Sequence, residues 1–167
     1  MPEGCYSMTV KMQAPRPPER VLYVDATDQI LGRLASEVAK KLLEGYRVYV
    51  VNAEKAVVSG DPLMVIKSYR VWYQIYVHVN PYKWGPHRPR SPITIIRKAV
   101  LGMLPKDKHI GKMAAKRLRV YIGVPKELEG KQFVRFKFAD ASRLNRKFIR
   151  VGEIALRLGW KGVRSRQ

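Results

Sequence analysis

Cysteine is nearly missing from this chain. Its one thiol, Cys5, excludes an intrachain disulfide, and no Cys/His grouping has zinc spacing. Such a composition suits a reducing cytoplasm. Histidine is scarce too: His78, His87 and His109 are isolated in sequence, and none has a neighbour spaced to share a metal. No Gly-x-Gly-x-x-Gly or Walker pattern occurs, so no glycine-rich loop is present to cradle a nucleotide phosphate. The longest apolar runs are far too short to cross a bilayer, and the N-terminus lacks the apolar segment of a secretory signal. No stretch pairs a broad apolar face with a basic one, which argues against a membrane surface as partner. No metal, cofactor or small-molecule substrate is expected.

The most informative deficit is of acid. Thirteen Asp and Glu stand against 33 Lys and Arg, a formal net charge of +20 over 167 residues. Self-repulsion of that size opposes compaction unless a polyanion supplies counter-charge, and nucleic acid is the commonest one. The deficit is concentrated. Residues 1–82 hold 10 basic and 8 acidic residues, a net of +2, whereas residues 83–167 hold 23 and 5, a net of +18. The first half reads as ordinary domain core and the second as a binding surface.

Residues 1–20, with Pro15, Pro17 and Pro18 and no periodicity, read as a flexible arm. Val21–Val24 and Val48–Val51 are short apolar runs of the kind found in buried parallel strands. Between them Leu31, Leu34, Ala35, Val38 and Leu42 recur at helical spacing, giving a strand–helix–strand unit closed by Gly45. Val57-Val58 suggests a further short strand. Asp61-Pro62 opens one helix and Pro92 another, with Ile93, Ile96, Val100 and Leu104 on one face and Pro105 as its stop. Ile110, Ala114 and Leu118 predict a short helix, Val120–Ile122 a strand, the alternating Phe133–Phe138 another, and Val151–Leu158 a last helix. The expected fold is a three-layer α/β domain, with a parallel sheet of about four strands between helices. Residues 21–125 form the core domain, and 126–167 a basic C-terminal extension packed on it.

Two classes of chemistry compete. Asp25 closes the first strand, and Asn52, Glu54 and Asp61 follow the second, where open α/β sheets bind ligands. The plainer reading is that Asp25 and Asp28 cap one helix and Asp61 the next. The nucleic-acid signal is fuller. Tyr82–Arg90 interleaves rings with cations, so Lys83, Trp84, His87, Arg88 and Arg90 can stack on splayed bases and hold phosphates. Alternatively Trp84 packs on the domain and the cations are merely solvated. Lys106, Lys108, Lys112, Lys116, Arg117 and Arg119 form a second cluster, with Arg97 on the preceding helix. On a continuous helix, Lys112, Lys116 and Arg119 fall on one side, opposite Ile110, Ala114 and Leu118. Arg135 and Lys137 read equally as phosphate contacts or as edge protection.

Several stretches together resemble one family. They are Val24-Asp25-Ala26 with Leu31–Ala35, then Val51–Lys55, Val58–Gly60, Ala99–Pro105 and Arg117–Gly123. In this order and spacing they are similar to the large-subunit ribosomal protein L-thirteen family. Tyr82–Pro92 and the long C-terminal extension look like its archaeal branch. The resemblance implies a structural constituent of the large ribosomal subunit rather than an enzyme. It implies binding to large-subunit ribosomal RNA beside neighbouring ribosomal proteins in the cytoplasm, and support of subunit assembly. It places the Gly102–Pro105 turn and the basic helix after it, Lys106 to Arg119, in the RNA-contacting region. The competing readings are a small RNA-modifying enzyme and an RNA-binding regulator acting away from the ribosome. If Trp84 stacks on RNA, Trp84→Ala weakens RNA binding by about 1–3 kcal/mol without unfolding the chain. A mutant that unfolds, seen by circular dichroism, assigns Trp84 to the core instead.

Overall fold

The computed structural model describes residues 20–75, 79–80 and 88–162. The arm, apart from Arg20, and the candidates Lys83, Trp84 and His87 lie outside the described residues. Three parallel strands form the central sheet in the order β1 (Val21–Asp25), β2 (Arg47–Val51) and β4 (Leu118–Val120). Register pairs Val24 with Val50 and Val50 with Val120. The helix α1 (Leu31–Leu43) joins β1 to β2 and buries Leu31, Leu34, Ala35, Val38, Ala39 and Leu42. Its stripe is the one its sequence predicts, and each large aliphatic side chain so buried contributes about 1.5–3 kcal/mol.

The α/β class stands, but the strand count does not. Among the described residues the central sheet has three strands rather than four. β3 (Val57–Ser59) leaves it and pairs antiparallel with β5 (Phe148–Arg150) as a separate ribbon. The alternating Phe133–Phe138 segment adds only one bridge beside β1: Val134 N donates to Tyr23 O at 2.9 Å and Asp25 N to Val134 O at 3.1 Å. The chain then turns tightly through Lys137–Ala139 and buries Ala139, so the alternation never becomes a strand.

Caps set the helix starts in two places. Asp61 accepts from Met64 N at the head of α2 (Pro62–Gln74). Ser91 and Thr94 cap each other's backbone at the head of α3 (Pro92–Met103). Each such cap is worth about 0.5–2 kcal/mol. The expected caps on α1 are absent: it begins after Ile30 with no side-chain cap, because Asp25 and Asp28 are engaged elsewhere. The remaining helices are α4 (His109–Lys116) and α5 (Val151–Arg157). Residues of α1, α3, α4 and α5 join Val24, Val48, Val50 and Leu118 in one core. The helix α2 adds Ile66 to that core, with Val65 and Tyr69 packed against it, and leaves Leu63, Met64, Val71, Trp72 and Ile75 exposed.

The elbow between α3 and α4 depends on a missing side chain. A β-carbon at Gly111 would overlap the carbonyl oxygen of Pro105 and stand 3.1 Å from that residue's ring. Only glycine lets α4 fold back on the Leu104-Pro105 turn and deliver Leu118 to the sheet edge. Gly111→Ala is therefore expected to cost about 1–3 kcal/mol or more, although Ala is the better helix former. Denaturant unfolding checks this, and an unchanged midpoint would refute so tight a contact.

Candidate nucleic-acid interface

The basic cluster around α4 is built on that elbow. Lys106 and Lys108 are exposed on the turn, and Lys108 is the N-cap of α4. Lys108, Lys112 and Lys116 recur every four residues, so they follow one ridge of the helix, and all three are exposed. Like charges so spaced oppose helix formation by about 0.2–0.5 kcal/mol per pair. No acid sits in the first turn to offset the helix dipole there. Local energetics alone disfavour this arrangement, as expected where stability gives way to a binding role.

The structure divides the face that a continuous helix would have made. The helix α4 ends at Lys116, Arg117 is its C-cap, and β4 begins at Leu118. Arg119 therefore lies on a strand, exposed and in register with Tyr49. The buried side of α4 is Gly111 and Ala114, while Ile110 is 64% exposed and outside the core. Arg117 is half-buried with its guanidinium beside Gly45. At the next residue, Tyr46, Arg20 and Lys41 approach the ring to 5.9 and 5.4 Å from its centroid. The basic band thus continues from α4 to the α1–β2 turn, a link no local pattern reveals.

Arg119 opens on a second surface. Tyr23, Tyr49 and Tyr121 form a row across the sheet, with centroids 5.4 and 6.3 Å apart, and Phe133 meets Tyr23 edge-on. Arg135 is tied down, its Nη2 donating to Thr27 O at 2.8 Å, whereas Lys137 is exposed.

The Arg-rich loop gives a third cluster. Arg88 stacks on Trp72 at 4.5 Å from the ring and donates through Nε to Trp72 O at 3.0 Å. Arg90 lies 5.0 Å from the Tyr73 ring, whose hydroxyl donates to Pro89 O at 2.8 Å. Arg97 is exposed on α3. Sequence reasoning paired these arginines with Trp84 and missed Trp72 and Tyr73. The ring-rich end of α2 was the available signal.

The acids at the carboxyl ends of the strands serve the fold. Asp25 Oδ1 accepts from Thr27 N, Thr27 Oγ1 and Asn52 Nδ2 at 3.0, 2.7 and 2.9 Å. Burial pushes this carboxyl up, but the hydrogen bonds from Asn52 and Thr27 outweigh it and hold its pKa below the ordinary value. The stability it adds is present above the ordinary aspartate range and is lost as pH falls through the lowered pKa. Glu54 accepts from Gly123 N at 3.1 Å, and Asp28 faces Arg150 at 3.4 Å. Among the described residues no group of three or more His, Cys, Asp and Glu is placed to hold a metal ion. No helix among them is long and apolar enough to cross a membrane.

The sequence profile of the family described as ribosomal protein L13 matches residues 19–127. The chain belongs to the ribosomal protein L13 family. Three relatives named large ribosomal subunit protein uL13 illustrate the likeness. That of Aeropyrum pernix is 55% identical over 86% of this chain and 92% of its own length. That of Sulfolobus acidocaldarius is 50% identical over 84% and 95%. That of Saccharolobus solfataricus is 46% identical over 86% and 96%. The match of this L13-family chain to the Aeropyrum pernix protein spans 143 residues, more than the 19–127 that the family profile covers.

In this L13-family chain the ridge of α4 is separable from its packing. Replacing Lys112 and Lys116 together by Ala is expected to leave stability unchanged or slightly raised, since Ala favours helix and relieves like-charge pairs. Affinity for RNA should fall, and the log–log salt slope should become shallower by about 1.4–1.8 if both meet phosphates. Denaturant unfolding and salt-titrated binding read the two effects apart. An unchanged slope would mark the ridge as a merely solvated face.

Proposed function

We propose that this chain is a structural constituent of the large ribosomal subunit, in the cytoplasm, and that it binds ribosomal RNA by neutralising phosphates over a fixed surface. The carrying observation is the Lys108–Lys112–Lys116 ridge, a self-repelling array with no acid in its first turn, in a chain of a ribosomal protein family. Like charges held in register cost stability in isolation and are relieved when phosphates take up the gaps. Lys106 and Arg117 extend the array, Arg119 contributes from the neighbouring tyrosine-lined sheet surface, and Arg88, Arg90 and Arg97 supply a further contact region. Lys83, Trp84 and His87 are proposed for the same region on sequence grounds alone. Residues 126–167 act as a basic extension of the core domain over residues 21–125, tied to it by the β3–β5 ribbon and by Ile149, Val151 and Ile154 in the core.

Catalysis is not proposed. The carboxylates nearest the strand ends, Asp25 and Glu54, are held by hydrogen bonds that stabilise the fold. Nothing favours the modifying-enzyme or the extraribosomal reading over this one. Neighbouring proteins of the subunit are the expected further partners, with RNA between them as the main contact.

Two measurements test the proposal. The tagged chain should co-sediment with large subunits at low salt. Its affinity for large-subunit RNA should fall with salt at a log–log slope of about −0.7 to −0.9 for each phosphate contacted. A slope near zero, or absence from the subunit fraction at low salt, would overturn it.

A further inference from the structure

Between α2 and α3 lies a cleft of about 330 Å³, lined by Tyr69, Trp72, Tyr73, Leu31, Ile95 and Ala99, with Arg88 and Lys98 among its walls. That volume is at the small end of the range, about 300–1,000 Å³, in which clefts hold small ligands. It matches a single nucleoside better than a peptide segment. The walls are mostly rings and aliphatic carbons, while the charged wall residues are both cationic, so the complementary occupant is flat, apolar on its faces and anionic at one end. An unpaired nucleotide of RNA has that character, because splayed bases stack on aromatic rings and guanidinium planes while their phosphates meet cations.

The geometry points to this cleft as the seat of one extruded nucleotide of the bound RNA, its base against the Tyr69 and Trp72 rings and its phosphate toward Arg88. This rests on the RNA-binding reading above and deepens it. Trp72 is 54% exposed although it is among the largest apolar side chains, and Arg88 is held over its ring. The Arg88 Nε donates to Trp72 O, which holds the guanidinium in place over the ring at the mouth of the cleft. The Tyr69 phenol is a hydrogen-bond donor at neutral pH, and burial pushes its pKa further above the ordinary value. The Ser68 hydroxyl, also in the wall, donates to Val65 O at 2.7 Å and keeps its lone pairs for a base edge.

The test compares two RNA hairpins, identical except for one bulged adenosine, bound to the full chain at fixed salt. The wild type should bind the bulged hairpin about 5- to 150-fold more tightly, the range expected for one stacked base. Ala99→Met fills the cleft from α3 without changing charge, and Ala99→Leu does so with a shorter side chain. Each should abolish the preference while leaving affinity for the paired hairpin within about twofold. Circular dichroism melting establishes that each variant is folded, and if one is not, the other decides. Equal binding of the two hairpins by the wild type, or a preference that survives in a folded variant, overturns the cleft assignment and leaves general RNA binding standing. Failure to bind either hairpin overturns the RNA-binding reading itself.

Discussion

The contact between Gly111 and Pro105 governs the geometry of the second half of the molecule. Because nothing larger than hydrogen fits between the two backbones, the first turn of α4 can pack directly on the Leu104-Pro105 turn. That packing seats Ala114 in the core, brings Leu118 beside Val48 at the sheet edge, and turns Lys108, Lys112 and Lys116 outward together. The same contact thus fixes both the third strand and the orientation of the basic ridge. A looser elbow would leave the cations as independent, mobile charges, each of which would lose its own freedom on meeting a phosphate.

Charge is handled differently in the two halves of the sequence. In the first half the acids have structural tasks: Asp25 ties β1 to Asn52, Asp61 caps α2, and Glu44 takes Lys41 at 2.8 Å. In the second half few acids remain for such tasks. Several of its cations lean on rings, as Arg88 does on Trp72 and Arg90 on Tyr73, or stand on ridges facing solvent. Cation–ring contacts orient a guanidinium without neutralising it, so the charge stays available to an anion.

What could be read in the sequence was what local spacing determines. The α1 stripe, the apolar runs of β1 and β2, and the Asp61-Pro62 and Ser91-Pro92 starts all depend on residues within four or five positions of one another. Three features escaped. Leu118 continues the apolar spacing of α4, yet the helix stops at Lys116 because parallel pairing with Val48 claims Leu118 for a strand. Phe133–Phe138 alternates like a strand but finds only Tyr23 and Asp25 to pair with, through Val134, before Ala139 is drawn inward. The Trp72–Arg88 stack joins residues far apart in the chain, and neither alone distinguishes a binding surface from a solvated one. The basic turn and helix from Lys106 to Arg119 were placed through family likeness together with charge, while their division between helix and strand came only from the fold.

The antiparallel ribbon has a bearing on how the chain reaches this state. Its two strands, β3 and β5, are separated by nearly ninety positions, and Ile149 is buried opposite Val58. During synthesis the amino-terminal strand emerges long before its mate. Until residue 150 has cleared the exit tunnel, Val57 to Ser59 stand as a bare sheet edge beside an incomplete core. Unpaired edges of this kind recruit one another, and closing so long a loop is slow. A nascent chain of high positive charge therefore passes through a sticky interval that ends only when its last strand arrives, and prompt capture by a polyanion would shorten that exposure.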